Sequence, residues 1–99
     1  MTATNGIKWE ELGTSKGRYV YRDAGEEAEM TYTKVGERQI IIDHTGVPDA
    51  FRGQGIGVRL VEQAVNDARR EGKTIIPLCP FAAAQFKRHE EWGDVLRKG

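Results

Sequence analysis

This chain is short of several features, and each shortage excludes a class of protein. It has one cysteine among 99 residues, so no disulfide can form within the chain and a disulfide framework is excluded. No apolar run approaches membrane-spanning length. Charge of one sign is not in excess either, because 15 basic residues offset 15 acidic ones. Nothing in that balance predicts a nucleic acid or a membrane as a partner.

Targeting and metal-binding patterns are also missing. Residues 1–6 contain no basic region followed by an apolar run, so we expect no signal peptide and a soluble, cytoplasmic protein. No grouping of Cys, His and carboxylate residues has zinc-ligand spacing, so we expect no metal. The length predicts one domain over residues 1–99, which is small but able to bury a core without disulfides or a structural metal.

The first half of the chain has the composition of a strand meander. Short stretches rich in strand-forming residues alternate with turn signals. Strands are expected at residues 18–22, 28–34 and 38–45, and a shorter one where Ile7 and Trp9 alternate with polar residues. Ile40, Ile41 and Ile42 are apolar on both faces, which predicts a central strand covered on both sides.

The second half has helical periodicity. A helix is expected to run to about Arg70 and to stop at Gly72. Its apolar stripe comprises Leu60, Val61, Ala64, Val65 and Ala68, and its polar face comprises Arg59, Glu62, Gln63, Asp67 and Arg70. Residues 74–78 then predict a short strand, parallel to the Ile-rich strand because a helical crossover joins the two.

The C-terminal part predicts a second helix and a tail. The helix is expected from Phe81 to about Glu91, with His89 in a structural role, and residues 94–96 are expected to pack back onto the domain. Trp9 and Trp92 are both expected to pack in the core.

The most informative stretch is Arg-Gly-Gln-Gly-Ile-Gly at residues 52–57, between the Ile-rich strand and the first helix. Glycines let the backbone approach a ligand closely, and the N–H groups of a helix N-terminus attract phosphate. The stretch is not the phosphate loop of nucleotide triphosphatases, because no Gly-Lys-Ser/Thr follows. Nor is it the dinucleotide fingerprint, which needs a further glycine that Leu60 and its neighbours do not supply. A ligand-free loop and a generic nucleotide-phosphate site are the alternatives.

This pattern resembles the pyrophosphate-binding signature of the GNAT acyltransferases. His44-Thr45-Gly46-Val47-Pro48 precedes the glycine loop, and Cys79-Pro80-Phe81 and Arg88-His89 follow it. In that order, the set resembles the small, single-domain GNAT-like N-acetyltransferase family, a shortened branch of the superfamily. The resemblance covers about residues 18–96.

The resemblance implies a fold and an activity. The fold is α/β: a mixed, mostly antiparallel sheet, two main helices, and a splayed pair of parallel strands that holds the pantetheine arm of acetyl-CoA. Pro77, which cannot donate to a sheet, is tolerable where those strands diverge. The implied activity is acetyl transfer from acetyl-CoA to an amine, of a small molecule or a protein, which the sequence does not identify.

The resemblance also implies which residues bind coenzyme A. Backbone amides at Arg52, Gly53, Gln54, Gly55, Ile56, Gly57 and Val58 would cradle the diphosphate, and the Arg52 side chain would add a charge-assisted hydrogen bond. Thr45, Gly46 and Val47 would supply backbone groups to pantetheine and an oxyanion donor. Phe81 is also expected to bind the cofactor, and Lys87 or Arg88 would contact the 3′-phosphate of coenzyme A. The side chains of Arg52, Lys87 and Arg88 are otherwise solvated cations.

Two residues are candidates for catalysis. Cys79 precedes a helix N-terminus, which lowers the pKa of a thiol, and the resemblance places a proposed catalytic cysteine there. His44 is expected on the same face as Ile40 and Ile42; histidine is a natural proton acceptor near neutral pH, and the resemblance marks this position as a candidate base. Each also has a structural interpretation. Direct attack by the amine and an acetyl-cysteine route both stay open.

The chain departs from larger GNAT enzymes in two respects. Residues 18–45 leave no room for the helical segment that helps to form the acceptor site, so that side is expected to be open or completed by a partner. Phe81 and Phe86 stand where many of those enzymes place a tyrosine acid. Both differences favour an alternative function, a coenzyme A-binding module without turnover.

Overall fold

The computed structural model describes residues 6–97. Five strands in this range form one sheet in the order β1-β2-β3-β4-β5. Their bounds are β1 Ile7–Glu11, β2 Lys16–Asp23, β3 Glu26–Val35, β4 Gln39–Gly46 and β5 Thr74–Pro77. The three pairs β1–β2, β2–β3 and β3–β4 are antiparallel, whereas β5 runs parallel to β4. The predicted mixed sheet is confirmed. The expectation of no signal peptide concerns residues 1–6, of which only Gly6 lies in the described range.

Two helices pack on one face of this sheet. Helix α1 spans Ile56–Glu71, and Gly55 and Gly72 flank it in the left-handed conformation. Helix α2 spans Pro80–Arg88 and ends earlier than predicted, because His89 leaves the helical conformation and stacks on Trp92. The chain continues as a 3₁₀ turn, Glu90–Asp94. Within residues 6–97, neither helix has the length and hydrophobicity needed to cross a bilayer.

Within residues 6–97, no helix covers the opposite face of the sheet. It carries Arg18, which forms ion pairs with Glu10 at 2.8 Å, Glu27 at 3.1 Å and Glu29 at 2.5 Å. Ile41 lies on this face and is only partly buried. The prediction that the Ile-rich strand is covered on both sides is therefore wrong, because both helices are used to cover the single face that forms the core.

Helix α1 buries the predicted apolar stripe in full. Gln63, predicted on the polar face, is buried as well, and its Nε2 donates to Asp67 Oδ1 at 3.1 Å. Trp92 packs edge-to-face against Phe86 in the core, as predicted. Trp9 is half exposed, so its predicted burial is wrong: it lies on the edge strand β1, where only one neighbouring strand shields it.

The C-terminal tail returns to the sheet, as predicted. The N–H of Ile75 donates to the carbonyl of Val95 at 2.7 Å, and the N–H of Arg97 donates to the carbonyl of Ile75 at 2.9 Å. Val95 is buried. The short strand β5 is therefore hydrogen-bonded on both sides, which fixes its position beside β4.

Candidate functional site

A β-bulge changes the face on which the side chains at the end of β4 lie. The register passes from Tyr32 opposite Ile42 to Thr31 opposite His44, which leaves Asp43 as an extra residue. Because side chains alternate along a strand, the extra residue turns Thr45 to the packed face and His44 to the other face. His44 is accordingly exposed. The prediction that it shares the face of Ile42 is wrong.

Thr45 meets Cys79 where β4 and β5 separate. The Cys79 sulfur lies 3.5 Å from Thr45 Oγ1, and the Cys79 N–H donates to the carbonyl of Ile42 at 3.0 Å. Strand pairing ends at Ile42 and Pro77, although β4 runs on to Gly46. Pro77 therefore lies at the point of divergence, as expected. The thiol, only 5% exposed, faces the Thr45 hydroxyl just beyond that point.

The surroundings of Cys79 favour its thiolate. Burial raises the pKa of the thiol, whereas hydrogen bonds from the Thr45 hydroxyl and from the N–H groups of Ala82 and Phe81 lower it. The hydrogen bonds outweigh burial, so the pKa lies below the ordinary value for cysteine. Cys79 is the N-cap of α2 and Pro80 has no N–H, so Phe81 and Ala82 supply the first donors of that helix. The thiolate is the nucleophilic form.

The glycine loop presents a row of N–H groups without partners. It follows a 3₁₀ turn, Asp49–Phe51, whose Phe51 ring is buried. The N–H of Arg52 donates to Asp49 at 2.9 Å and that of Gln54 to Phe51 at 3.2 Å. Over residues 6–97, no acceptor takes the remaining amides of the loop and first helical turn, at Gly53, Gly55, Ile56, Gly57 and Val58. Five of the seven predicted amides are thus available to a ligand.

Charge at this helix end suits an anion. The first turn of α1 contains no acidic residue, and the Gly55 N-cap has no side chain to occupy the amides. The partial positive charge of the helix N-terminus is therefore uncompensated by the protein. The Arg52 guanidinium lies 3.0 Å from Asp49 Oδ1 in an exposed pair. Such surface pairs are weak, so Arg52 can exchange Asp49 for a phosphate.

The two helix N-termini meet over the end of β4. A Cβ placed on Gly57 would lie 2.7 Å from Phe81 Cζ and 3.4 Å from Val47 Cγ2. Both Phe81 and Val47 are substantially exposed. These two exposed apolar side chains flank Gly57 in the first turn of α1, and we call them the Val47–Phe81 wall. Gly57 is therefore required for packing as well as for backbone approach, a role that the sequence did not reveal.

Lys87 and Arg88 lie at the other end of α2 from Cys79. They occupy its last turn, and both are exposed. At 1.5 Å of rise per residue, Lys87 is about 10 Å along the helix from Pro80. No carboxylate in the described part of the chain pairs with either cation. Their contact with the 3′-phosphate stays a prediction.

Comparison with known proteins assigns the family. A model of the GCN5-related N-acetyl-transferases matches residues 18–95. The chain belongs to this family. The fold agrees, since the solution structure of a GCN5-like protein from Staphylococcus aureus matches with a TM-score of 0.69 and 33% sequence identity. That match covers 100% of this chain and 93% of the Staphylococcus chain.

Vertebrate relatives match over a shorter stretch. The Xenopus tropicalis protein NATD1 is 42% identical over 41 residues, which is 41% of this chain and 38% of that protein. The Mus musculus NATD1 has the same identity over 41 residues, 37% of its length. The match therefore spans well under half of these relatives.

Proposed function

We propose that this member of the GCN5-related family transfers an acetyl group from acetyl-CoA to an amine. One observation supports the proposal most strongly: five unpartnered amides, the Val47–Phe81 wall and a thiol of lowered pKa converge where β4 leaves β5. An anion-binding helix end and an exposed apolar surface suit the diphosphate and the arm of a coenzyme A thioester, and a thiolate beside them could accept its acyl group.

The residues fit the parts of coenzyme A in order. The amides of Gly55, Ile56 and Gly57 hold the diphosphate, since no described residue accepts a hydrogen bond from them. The Val47–Phe81 wall takes the apolar part of the pantetheine arm. The gap beyond Pro77 leads to Cys79 and Thr45. Acetyl-CoA supplies the activated acetyl group when bound.

We propose that Cys79 accepts the acetyl group first. Its thiolate forms a bond to the acetyl carbonyl carbon as the coenzyme A thiolate leaves, and Thr45 holds the attacking sulfur in place. A neutral amine then takes the acetyl group, gives up a proton, and restores the Cys79 thiolate. Because the bulge turns His44 to the opposite face, His44 can accept that proton only through water.

The test uses two variants of Cys79. Cys79→Ala and Cys79→Ser should bind coenzyme A in calorimetry as the unaltered protein does, since no coenzyme-binding amide is changed. Release of free coenzyme A from acetyl-CoA, measured with a panel of small and peptide amines, should fall at least about a hundredfold in both, the scale expected when a nucleophile is lost.

Mass spectrometry completes this test. Protein mixed with acetyl-CoA alone should gain one acetyl group on the peptide that contains Cys79. Full turnover in Cys79→Ala would exclude the covalent route and leave direct attack by the amine. Failure of the unaltered protein to bind coenzyme A would remove the proposed function itself.

A second candidate function is coenzyme A binding without turnover. It is favoured by the absence of a hydroxyl acid on α2 among the described residues, since Phe81 and Phe86 cannot protonate a leaving thiolate. It is also favoured by the strands β2, β3 and β4, which follow one another with no helix between them in the described part of the chain. Tight binding of acetyl-CoA with no consumption across the amine panel would select this function.

A further inference from the structure

A cavity of about 600 Å³ lies at the opposite end of α1 from the glycine loop. We call it the Trp9 cavity, because the rings of Trp9, Tyr19 and Tyr32 form one wall and the part of α1 from Gln63 to Glu71 forms the other. Gln63 is eight residues beyond Gly55, about 12 Å along the helix, and Glu71 is about 24 Å along it. The Trp9 cavity is therefore separate from the proposed coenzyme A site.

The aromatic wall is held in place by hydrogen bonds. Trp9 is 50% exposed, yet its Nε1 donates to the hydroxyl of Tyr32. The Tyr19 and Tyr32 rings lie 5.7 Å apart and are tilted by 37°. An exposed indole fixed by a buried partner presents a rigid flat surface, against which a planar ring can stack at little cost in side-chain entropy.

The acceptor atoms in this cavity are already occupied. Asp67 Oδ1 accepts from Gln63 Nε2 at 3.1 Å and from Arg70 Nη2 at 2.7 Å. Asp67 Oδ2 accepts from the Tyr19 hydroxyl at 2.7 Å. Desolvation by burial raises the pKa of Tyr19, and the hydrogen bond to Asp67 raises it further, so Tyr19 stays a neutral donor. Three internal donors therefore already compensate the main carboxylate of the cavity.

Donor capacity, in contrast, is left over. Tyr32 is only 6% exposed and accepts from Trp9, and no described residue accepts the proton of its hydroxyl. Lys34 uses its ammonium on Glu11 at 3.0 Å, and Lys73 on Glu71 at 3.3 Å, so each keeps N–H groups free. Four cations line the cavity against two carboxylates. The unused donors and the excess of positive charge favour the binding of an anion.

We propose that the Trp9 cavity binds a small planar aromatic carboxylate, with its ring against Trp9 and its carboxylate accepting from the Tyr32 hydroxyl and from Lys34 or Lys73. The volume lies within the range of about 300–1,000 Å³ typical of small-molecule sites. A charged acceptor satisfies the buried Tyr32 hydroxyl, and a charge-assisted bond of this kind is stronger than a neutral one.

Calorimetry with three matched probes tests the proposal. The probe is 2-naphthoate; 2-naphthalenemethanol keeps the ring without the charge, and cyclohexanecarboxylate keeps the charge without the aromatic ring. We expect 2-naphthoate to bind at least about tenfold more tightly than either control, a difference of about 1.4 kcal/mol. Absence of heat with millimolar 2-naphthoate, or equal binding of the neutral alcohol, would overturn the proposal.

Variants locate the site. Tyr32→Phe removes the hydroxyl, and the double variant Lys34→Gln/Lys73→Gln removes both charges that the carboxylate could meet; each should weaken 2-naphthoate about tenfold while thermal melting confirms folding. Arg38→Gln removes an exposed cation outside the cavity and should change nothing. Saturating coenzyme A should leave the affinity unchanged. Displacement of 2-naphthoate by coenzyme A, or unchanged affinity in both cavity variants, would overturn the proposal and place the probe elsewhere.

Discussion

The two helix N-termini of this protein use the same physical effect on different charges. That of α1 begins at a glycine without a side-chain cap, and its free amides lie beside exposed residues. That of α2 begins at buried Cys79, and its first amides lower the pKa of the sulfur. A helix end stabilises any negative charge placed on it. An exposed glycine N-cap leaves the helix amides to the charge of a ligand, whereas a buried cysteine N-cap supplies the charge from the protein.

The largest expected effect follows from placing a side chain where the two helix ends meet. In Gly57→Val the new methyl groups must displace the Phe81 ring, which would lie 2.7 Å from the first added carbon. We expect coenzyme A affinity to fall more than about a hundredfold, as several charge-assisted hydrogen bonds are lost together. Stability should fall by about 1–3 kcal/mol, the usual cost of overpacking. Calorimetry and urea unfolding measure the two effects.

Gly93→Val is the matched control for that substitution. Apart from its chain neighbours, no described residue has an atom within 4 Å of a Cβ at Gly93, and the φ of Gly93 is not in the left-handed region. Its coenzyme A affinity should equal that of the unaltered protein. Normal affinity in folded Gly57→Val would show that the α1 end does not carry the diphosphate.

A smaller effect is expected when a side chain adds negative charge at the N-terminus of α1. Gly55→Asp places a carboxylate where α1 now has none, and the left-handed backbone there, at φ 70°, is one that Asp and Asn tolerate. We expect stability to change by less than about 1 kcal/mol, because the carboxylate complements the helix dipole and offsets the loss of glycine.

Binding should respond differently to this substitution. The introduced carboxylate competes with the diphosphate, so Gly55→Asp should weaken coenzyme A more than about tenfold, whereas the neutral Gly55→Asn should weaken it less. Calorimetry on both variants at one salt concentration makes the comparison. Equal weakening by the two substitutions would mean that shape, rather than charge, governs this helix end.

The smallest effect concerns the α2 end. Thr45→Val keeps the shape of the side chain but removes the hydroxyl that lowers the pKa of Cys79. Iodoacetamide reacts with the thiolate, so its rate rises with pH through the thiol pKa and levels off above it. We expect that profile to move to higher pH in Thr45→Val, and the rate at neutral pH to fall. Thr31→Val, on the opposite face of the sheet, should leave the profile in place. An unmoved profile in Thr45→Val would leave the backbone N–H groups of Phe81, Ala82 and Thr45 as the cause of the lowered pKa.

The features that the sequence predicted are those set by local pattern. Helix α1, its stripe and its glycine ends depend on residues a few positions apart, and the order of strands follows from short turns. The errors depend on distant partners. The bulge at Asp43 arises from pairing with β3 and is marked by neither glycine nor proline. The exposure of Trp9 follows from its place at the sheet edge, and the burial of Gln63 from its bond to Asp67.

The candidate site divides in the same way. The glycine loop and Cys79 could be named from their neighbours in sequence. The side chain of Thr45 could not be recognised as a partner of the thiol, because strict alternation along β4 places His44 on that face instead. The contact of Gly57 with Phe81 joins two helices that 24 positions separate in the chain, and no local pattern encodes it.

The bulge in β4 absorbs one residue of chain length without changing which side chain faces Cys79. A deletion of Asp43 would leave His44 opposite Thr31 and Thr45 opposite Met30, so Thr45 would stay beside the thiol. The deletion would remove the Asp43 carboxylate that accepts from Thr33 at 2.7 Å, and would therefore act on stability rather than on the thiol. In this strand, the face that a side chain takes is set by its partner in β3 and not by its distance in sequence from Ile42.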